Sequence, residues 1–454
     1  MTAAPERFPG VFWFANLTEL FERAAYYATA SFVVIYLGQL GLGDYWPSTL
    51  NSLLWTLIYF LPILSGTIAD QITFRRALLI AFVLLTAGYF LMGYPVWLGG
   101  AELKPMMERE LTAGAGVFVP VLLGILLIGI GGSFVKPSIL GTAQKVAGTR
   151  AALAFSIFYV VVNIGSLVGR GVAYIVRTRT SLSLIFAVAM GAAVVAFFTV
   201  LFFYRDVESA GGAAAPAKPK KSVGEILLGM VTVLKNGRFV LFLIVVSGFF
   251  FLYFQVYNVL PLYAKRVLET QPAMDIYTMA NPLTIVCFQL LVTRIFGRMK
   301  PVRSIVIGIV IISLSMALSL IPIYSAGGIR AVTSLGIPAA SLFVVLVITA
   351  AAFGELFTSA RMYEYVGSLA PKGQEGLFLG YANLPLAIGT LVGGPVGAVI
   401  FNEVMARGAT RRPDGLLELD PTQNALGWLI LMAIGLASAV SMWLFNRHLE
   451  RQQP

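Results

Sequence analysis

Glu19-Leu20-Phe21-Glu22-Arg23-Ala24-Ala25-Tyr26-Tyr27 places three ionisable side chains and two phenols inside an apolar stretch that runs from about Phe12 to Leu40. The stretch reads as a membrane-spanning helix, where an ionisable group costs roughly 3 kcal/mol at the bilayer centre. Such groups cannot face lipid, so they must line a protein-walled, partly wet cavity and neutralise one another. On a helix Glu19, Glu22, Arg23, Tyr26 and Tyr27 fall on one face. Glu19 and Arg23 have the favourable i,i+4 order for an ion pair. That leaves Glu22 in need of a partner from another helix. A carboxylate that gains and loses a proton as its salt-bridge partner moves is the basic part of a proton-coupled carrier.

Further polar groups interrupt other apolar runs. Lys136 follows an uncharged run from Ala113, and Glu355 follows one from Ile337, with Ser359 one turn further on the same face. Tyr159, Asn163 and Arg170 share one helix, and the seven-residue spacing of Asn163 and Arg170 lets both face a cavity. Asn281-Pro282 marks a break with an amide beside it. Tyr59, Tyr253 and Gln255 are further candidates. Glu19, Glu22 and Glu355 against Arg23 and Lys136 leave one net negative charge, which favours protonating one carboxylate near neutral pH. If Arg170 joins them the balance is zero and that argument weakens.

The elements that must position these groups follow from composition. The chain has 454 residues, 58% hydrophobic and 12% charged, with mean hydropathy +0.85, which implies a polytopic membrane protein. A span takes about 20 residues, and the apolar segments number roughly twelve. They are expected at about 11–38, 46–68, 77–98, 115–143, 151–174, 182–204, 238–263, 274–297, 302–324, 336–360, 376–402 and 425–446. Residues 205–224, with Gly-Gly-Ala-Ala-Ala-Pro-Ala-Lys-Pro-Lys-Lys, read as a solvated linker between an N-terminal six-helix bundle (1–204) and a C-terminal one (225–454).

Gly165-Ser166-Leu167-Val168-Gly169 recurs as Gly389-Thr390-Leu391-Val392-Gly393, an offset of 224 that is close to half the chain. Two related halves facing each other across a central site explain it.

Charge and single residues close off other readings. The net charge of +11 is distributed by membrane topology rather than by nucleic-acid binding. With the N-terminus inside, the inner loops and tails hold 19 Lys/Arg and the outer loops 10, so both termini are expected in the cytoplasm. Cys287 is the only cysteine, which excludes an intramolecular disulfide and argues against a thiol metal site. His448 is the only histidine and lies in the terminal tail, so a transmembrane proton carrier must be a carboxylate. No cleavable signal is expected, because the first apolar run is too long and carries charge. Nucleotide loop, metal cluster and base-activated nucleophile are all missing, which disfavours an enzyme.

At these residues the sequence resembles the proton-dependent oligopeptide transporters, a branch of the major facilitator superfamily. The family's Glu-x-x-Glu-Arg-x-x-Tyr-Tyr reads here Glu19 to Tyr27, and its Lys-Pro reads Lys136-Pro137. Its helix-five signature reads Phe155 to Ser166, its Asn-Pro reads Asn281-Pro282, and its Gly-Glu-Leu-x-x-Ser reads Gly354 to Ser359. The superfamily's loop between helices two and three reads Gly66, Asp70, Arg75 and Arg76, and Tyr59 sits at the family's binding-site tyrosine.

The resemblance implies a major facilitator fold of twelve helices and proton-driven uptake of di- and tripeptides by alternating access. It assigns Glu19, Glu22 and Arg23 to proton coupling. Lys136 takes both coupling and carboxylate contact, Glu355 takes the peptide's amino terminus, and Asp70, Arg75 and Arg76 form a gating loop. Tyr26, Tyr27, Tyr59, Tyr159, Asn163, Gln255, Asn281 and Ser359 are then expected around the substrate. The chain departs from the family at Ala30, where an arginine usually holds the peptide carboxylate, and at Phe250 to Gln255, which lacks a carboxylate. Arg170, absent from the family pattern, is a candidate for the cation missing at Ala30.

The expected protein is thus an all-α, multi-pass carrier of the cell membrane, a monomer in contact with lipid, protons and a small zwitterion. It needs no cofactor beyond a proton gradient. Carriers of another polar metabolite, drug/proton antiport and a transport-inactive receptor remain the alternatives, since fold alone does not decide function.

Overall fold

The computed structural model describes residues 8–106, 110–147, 150–206, 224–225, 235, 237–332, 338–369 and 381–452. Of the expected linker, all but Arg205, Asp206 and Gly224 lies outside the described residues. The first six spans are α1 (Gly10–Ala30), α2 (Trp46–Phe60, continued by Pro62–Ile72), α3 (Phe74–Trp97), α4 (Ala115–Ala147), α5 (Ala151–Arg179) and α6 (Leu184–Phe203). The next six are α7 (Gly237–Gln255), α8 (Met274–Phe296), α9 (Pro301–Ala317), α10 (Ala339–Leu369), α11 (Leu384–Val399) and α12 (Pro421–Gln452).

Ten helices among the described residues are long and apolar enough to cross a membrane, and the two pieces of α2 make an eleventh. The charged α1 completes the expected twelve. The pieces of α2 meet at 47°, because Pro62 has no N–H to continue the ladder and its ring collides with the preceding turn. Thr73, at φ 84°, makes the sharp turn into α3. An antiparallel pair, Thr410–Arg411 with Leu417–Glu418, lies between α11 and α12 and was not foreseen from the sequence.

The chain forms two compact units. One comprises Met1–Thr29, Leu57–Gly100 and Val119–Met230; the other comprises Ala30–Thr56, Ala101–Phe118 and Val231–Pro454. The short helix Val33–Gln39 and the first half of α2 therefore pack with the second-half helices.

Small residues set the closest helix contacts. A Cβ on Gly165 would stand 2.8 Å from Arg23 Cβ and 2.9 Å from the Leu20 carbonyl oxygen, and one on Gly169 would run into the Ala24 carbonyl. The backbone of α5 thus lies directly against the charged stretch of α1, as small-xxx-small pairs permit. In the other unit a Cβ on Gly389 would stand 2.6 Å from the Ser247 carbonyl oxygen and 2.7 Å from the Phe251 nitrogen. The repeated pentapeptide therefore does the same packing task in α5 and in α11.

Candidate functional site

In the first unit α1 presents Glu19, Glu22 and Arg23, all buried. Arg23 Nε lies 2.5 Å from Glu22 Oε2, and Arg23 Nη2 donates to Glu22 Oε1 at 2.7 Å. This two-pronged pairing corrects the expectation that Glu22 finds its partner on another helix. The long arginine stem swings the planar guanidinium onto the adjacent carboxylate, where both prongs are satisfied at once. Glu19 is the outer partner, with its Oε1 at 3.5 Å from Arg23 Nε. Neither Glu19 carboxylate oxygen accepts a hydrogen bond among the described residues, and the residue is 1% exposed.

The aromatic face is continuous with this pair. Arg23 Cζ stands 5.0 Å from the Tyr26 ring and 5.9 Å from the Tyr27 ring, and the two rings meet edge to face at 5.1 Å. Lys136, half-buried on α4, feels the charges of Arg23, Glu19 and Glu22. Among the described residues no carboxylate comes within ion-pair distance of it. The sequence reading missed Tyr89 of α3, which is fully buried, senses Glu22 and Arg23, and shares a hydrogen bond with Thr29. A phenol in the middle of an otherwise apolar span was the available signal.

Helix α5 differs from expectation in detail. Arg170 is fully buried; its Nη1 donates to the Ser166 carbonyl at 3.3 Å and to the Ser166 hydroxyl, and its guanidinium lies 4.5 Å from the Tyr27 ring. Asn163 Nδ2 donates to the Tyr159 carbonyl of its own helix at 2.8 Å. Tyr159 is 45% exposed, and Tyr59 is half-buried.

At the α2–α3 loop Asp70 and Arg76 are exposed. The Arg75 backbone N–H donates to Asp206 Oδ1 at 2.9 Å, and its guanidinium donates to the Leu201 carbonyl at 2.7 Å. A carboxylate thus sits on the α3 N-terminus and a cation on the α6 C-terminus, the favourable sense for both dipoles.

In the second unit Glu355 of α10 is fixed from two helices. Asn281 Nδ2 of α8 donates to Glu355 Oε2 at 3.0 Å, and the Tyr253 hydroxyl of α7 donates as well. Ser359 is half-buried one turn along. Gln255 is a correction. It is fully buried, and its Nε2 donates to the Phe251 carbonyl at 2.9 Å and the Gly393 carbonyl at 3.1 Å. Its amide ties α7 to α11 and is not open to substrate.

The same unit holds a second polar cluster that the sequence reading did not single out. Arg266 Nη1 donates to Asp44 Oδ1 at 2.7 Å and to Asn402 Oδ1 at 2.9 Å, and Asn402 Nδ2 donates to the Asp44 carbonyl at 3.2 Å. All three are buried, and Arg266 and Asn402 sit on π-helical turns, Ala264–Leu268 and Ile400–Met405. Ser31 and Thr278 hydroxyls meet at 2.8 Å, and Asn51 Nδ2 donates to the Tyr257 carbonyl at 2.9 Å. These bonds fasten residues 31–51 to the segment that follows α7, to α8 and to the two π-helical turns.

A family model described as Major Facilitator Superfamily matches residues 12–332. The chain belongs to the Major Facilitator Superfamily. A member of this superfamily is a membrane carrier and not an enzyme. The chain is 23% identical over 507 aligned positions to dipeptide and tripeptide permease B of Photorhabdus asymbiotica subsp. asymbiotica, covering 98% of this chain and 97% of the relative. It is 29% identical over 163 positions to dipeptide and tripeptide permease A of Escherichia coli, covering 35% of this chain and 29% of that one.

Among solved structures, this facilitator resembles a peptide transporter in complex with alafosfalin, with TM-score 0.73, 18% identity and coverage of 98% and 95% of the two chains. It also resembles a POT family transporter in complex with 5-aminolevulinic acid, with TM-score 0.70, 20% identity and 96% of each chain covered. Both likenesses bear on the fold.

Proposed function

We propose that the protein is a proton-driven importer of di- and tripeptides, or of a similar small zwitterion, working by alternating access in the cell membrane with both termini in the cytoplasm. The carrying observation is the α1 cluster, in which one arginine serves two buried carboxylates unequally. Glu22 holds both prongs of Arg23, whereas Glu19 stands 3.5 Å away with its oxygens unbonded among the described residues. A proton arriving at Glu19 therefore displaces no hydrogen bond, while one arriving at Glu22 must break the fork. Arg23 thus has two carboxylates in reach on one helix, and a change of partner between them would couple protonation to conformational change.

Each unit by itself holds a side chain whose charge suits one end of a zwitterion. Lys136, with no committed carboxylate among the described residues, suits the peptide carboxylate. Glu355, held by Asn281 and Tyr253, suits the amino terminus. The driving force is the proton gradient, and no cofactor takes part. The full-length likeness to a dipeptide and tripeptide permease supports this substrate class.

The test is uptake into liposomes holding the purified protein, with the lumen alkaline relative to outside. A labelled dipeptide should accumulate, and accumulation should collapse when a protonophore removes the gradient. Equal uptake without a gradient would overturn the proton coupling. Accumulation of single amino acids or organic acids, with dipeptides excluded, would overturn the substrate class.

A further inference from the structure

The second unit holds a cavity that Glu355 does not line. Four stretches far apart in the sequence build it: Gln39 at the end of the helix Val33–Gln39, and residues from 103–106, 265–270 and 411–417. Its volume is about 250 Å3. A smaller void of about 90 Å3, lined by Asp44 and Asn402, shares Arg266, Arg411 and Leu417 with it as a common wall. All these residues belong to the one unit.

Backbone bonds hold the walls in place. The Lys104 N–H donates to the Gln39 carbonyl at 2.9 Å, and the Thr112 and Ala113 N–H groups donate to the Gly41 carbonyl at 2.9 and 3.0 Å. The Arg412 N–H donates to the Leu416 carbonyl at 2.9 Å, inside the hairpin that pairs Thr410–Arg411 with Leu417–Glu418. Lys265 and Arg266 ride on the π-helical turn Ala264–Leu268. A wall made of bonded backbone needs little ordering when a ligand arrives.

The charges on these walls do not cancel. Lys265, Arg266 and Arg411 line the two voids with Asp44 and Asp414, three cations to two carboxylates. Both carboxylates are committed to cations. Arg266 Nη1 holds Asp44 at 2.7 Å, and Arg412, which stands outside the lining, holds Asp414 at 2.8 Å. Asp414 also accepts from the Leu416 N–H at 3.1 Å. A concave wall with excess positive charge focuses its field and concentrates anions. The same wall carries the apolar surface of Leu103, Met106 and Leu416. An inorganic ion gains nothing from that surface, whereas an organic carboxylate with a short apolar body uses both parts. The volume lies below the roughly 300–1,000 Å3 of drug-sized pockets, which suits one or two residues of a peptide.

We propose that this cavity is a capture site for the carboxylate end of a short peptide, with Lys265, Arg266 and Arg411 supplying the field and the apolar surface seating the last side chain. The inference rests on the importer reading above, whose orientation puts this end of α7 and α11 outside the cell. It adds a second place for the peptide, separate from Lys136 and Glu355.

Saturation-transfer NMR on the full-length protein in detergent tests the site directly. Lys136→Ala/Glu355→Gln removes the two charges assigned to the transported peptide and leaves the cavity intact. This variant should still give a signal with N-acetyl-dialanine, which has a carboxylate and no amine. Dialanine amide, which has the amine and no carboxylate, should give little. Adding Lys265→Gln/Arg411→Gln should cut the N-acetyl-dialanine signal about fivefold, and raising NaCl from about 50 to about 500 mM should weaken it in the parent variant. Lys265→Arg/Arg411→Lys, which keeps both charges, should retain it. A parent variant silent toward N-acetyl-dialanine, or equally responsive to the amide, would overturn the site without any change to the cavity itself. A signal that survives Lys265→Gln/Arg411→Gln would place the carboxylate elsewhere and overturn it too.

Uptake gives the second readout. In otherwise unaltered protein, Lys265→Gln/Arg411→Gln should raise the dipeptide KM about threefold with kcat within about twofold, because lost steering slows encounter and leaves later steps alone. An unmoved KM would overturn the capture role. Wild-type uptake indifferent to the proton gradient would strike the importer reading instead, and the NMR comparison would still decide whether the cavity binds a carboxylate.

Discussion

The α1–α5 pair and the α7–α11 pair solve one packing problem and carry different chemistry. Around Gly165 the nearest backbone atoms are the Leu20 oxygen and the Ala24 nitrogen; around Gly389 they are the Ser247 oxygen and the Phe251 nitrogen. Ser247 and Phe251 each follow their α1 counterparts by 227 positions, and Gly389 follows Gly165 by 224. The backbone approach is thus shared between the halves. Carried across by the same offset, Glu19, Glu22 and Arg23 become Val246, Phe249 and Phe250, all buried and apolar. The close contact needs only glycine and meets the backbone and Cβ atoms of the partner helix, so it is indifferent to what the side chains carry beyond Cβ. One half can therefore carry buried charges on α1 while the other keeps an apolar seam there and places a carboxylate, Glu355, on α10.

This contrast can be broken in order of expected effect. Glu22→Gln should reduce gradient-driven accumulation on the order of 100-fold or more, while counterflow exchange of dipeptide across the liposome membrane persists. Loss of both would assign the α1 cluster a folding role like that of its apolar counterpart.

The glycines come next, because their effect tests the shared part of the comparison. Gly169→Ala drives a methyl into the Ala24 carbonyl, whereas Gly393→Ala meets the Phe254 ring edge at 2.9 Å and the Gln255 amide at 3.3 Å, side chains that can shift. Melting curves should show Gly169→Ala losing about 2–3 kcal/mol and Gly393→Ala nearer 1 kcal/mol. The reverse ranking would mean that the α1–α5 seam is the softer one.

Within the second half, Asn281→Ala removes one of two donors on Glu355 and should raise the dipeptide KM roughly tenfold, the worth of one hydrogen bond to a charged group. A smaller effect falls to Gln255→Ala, which should lower stability by about 1 kcal/mol through the lost α7–α11 bond, with KM unchanged. A changed KM would return Gln255 to the substrate site.

The spans were legible because lipid imposes length and apolarity on every crossing, and the structure places eleven of them by those two properties alone. The twelfth, α1, was legible as a long apolar run in spite of its charges. The glycine repeat was legible as a spacing, and its task followed once the facing backbone was known. Other features left no local mark. Nothing in the chain near Gln255 says that its amide closes onto Gly393, 138 positions away. Asp44, Arg266 and Asn402 are ordinary loop and helix-end residues until the fold brings them together.

Sequence alone determined which groups are too costly to face lipid, and so which residue types must meet inside the protein, because the bilayer penalises a buried charge wherever it sits. Tertiary structure alone decided who pairs with whom. Arg23 lies within reach of two glutamates on its own helix, and only side-chain geometry gives its fork to Glu22 and leaves Glu19 at 3.5 Å. Arg170 likewise could have reached for solvent or substrate. Two glycines set its helix against α1, and Tyr27 closes over its charge.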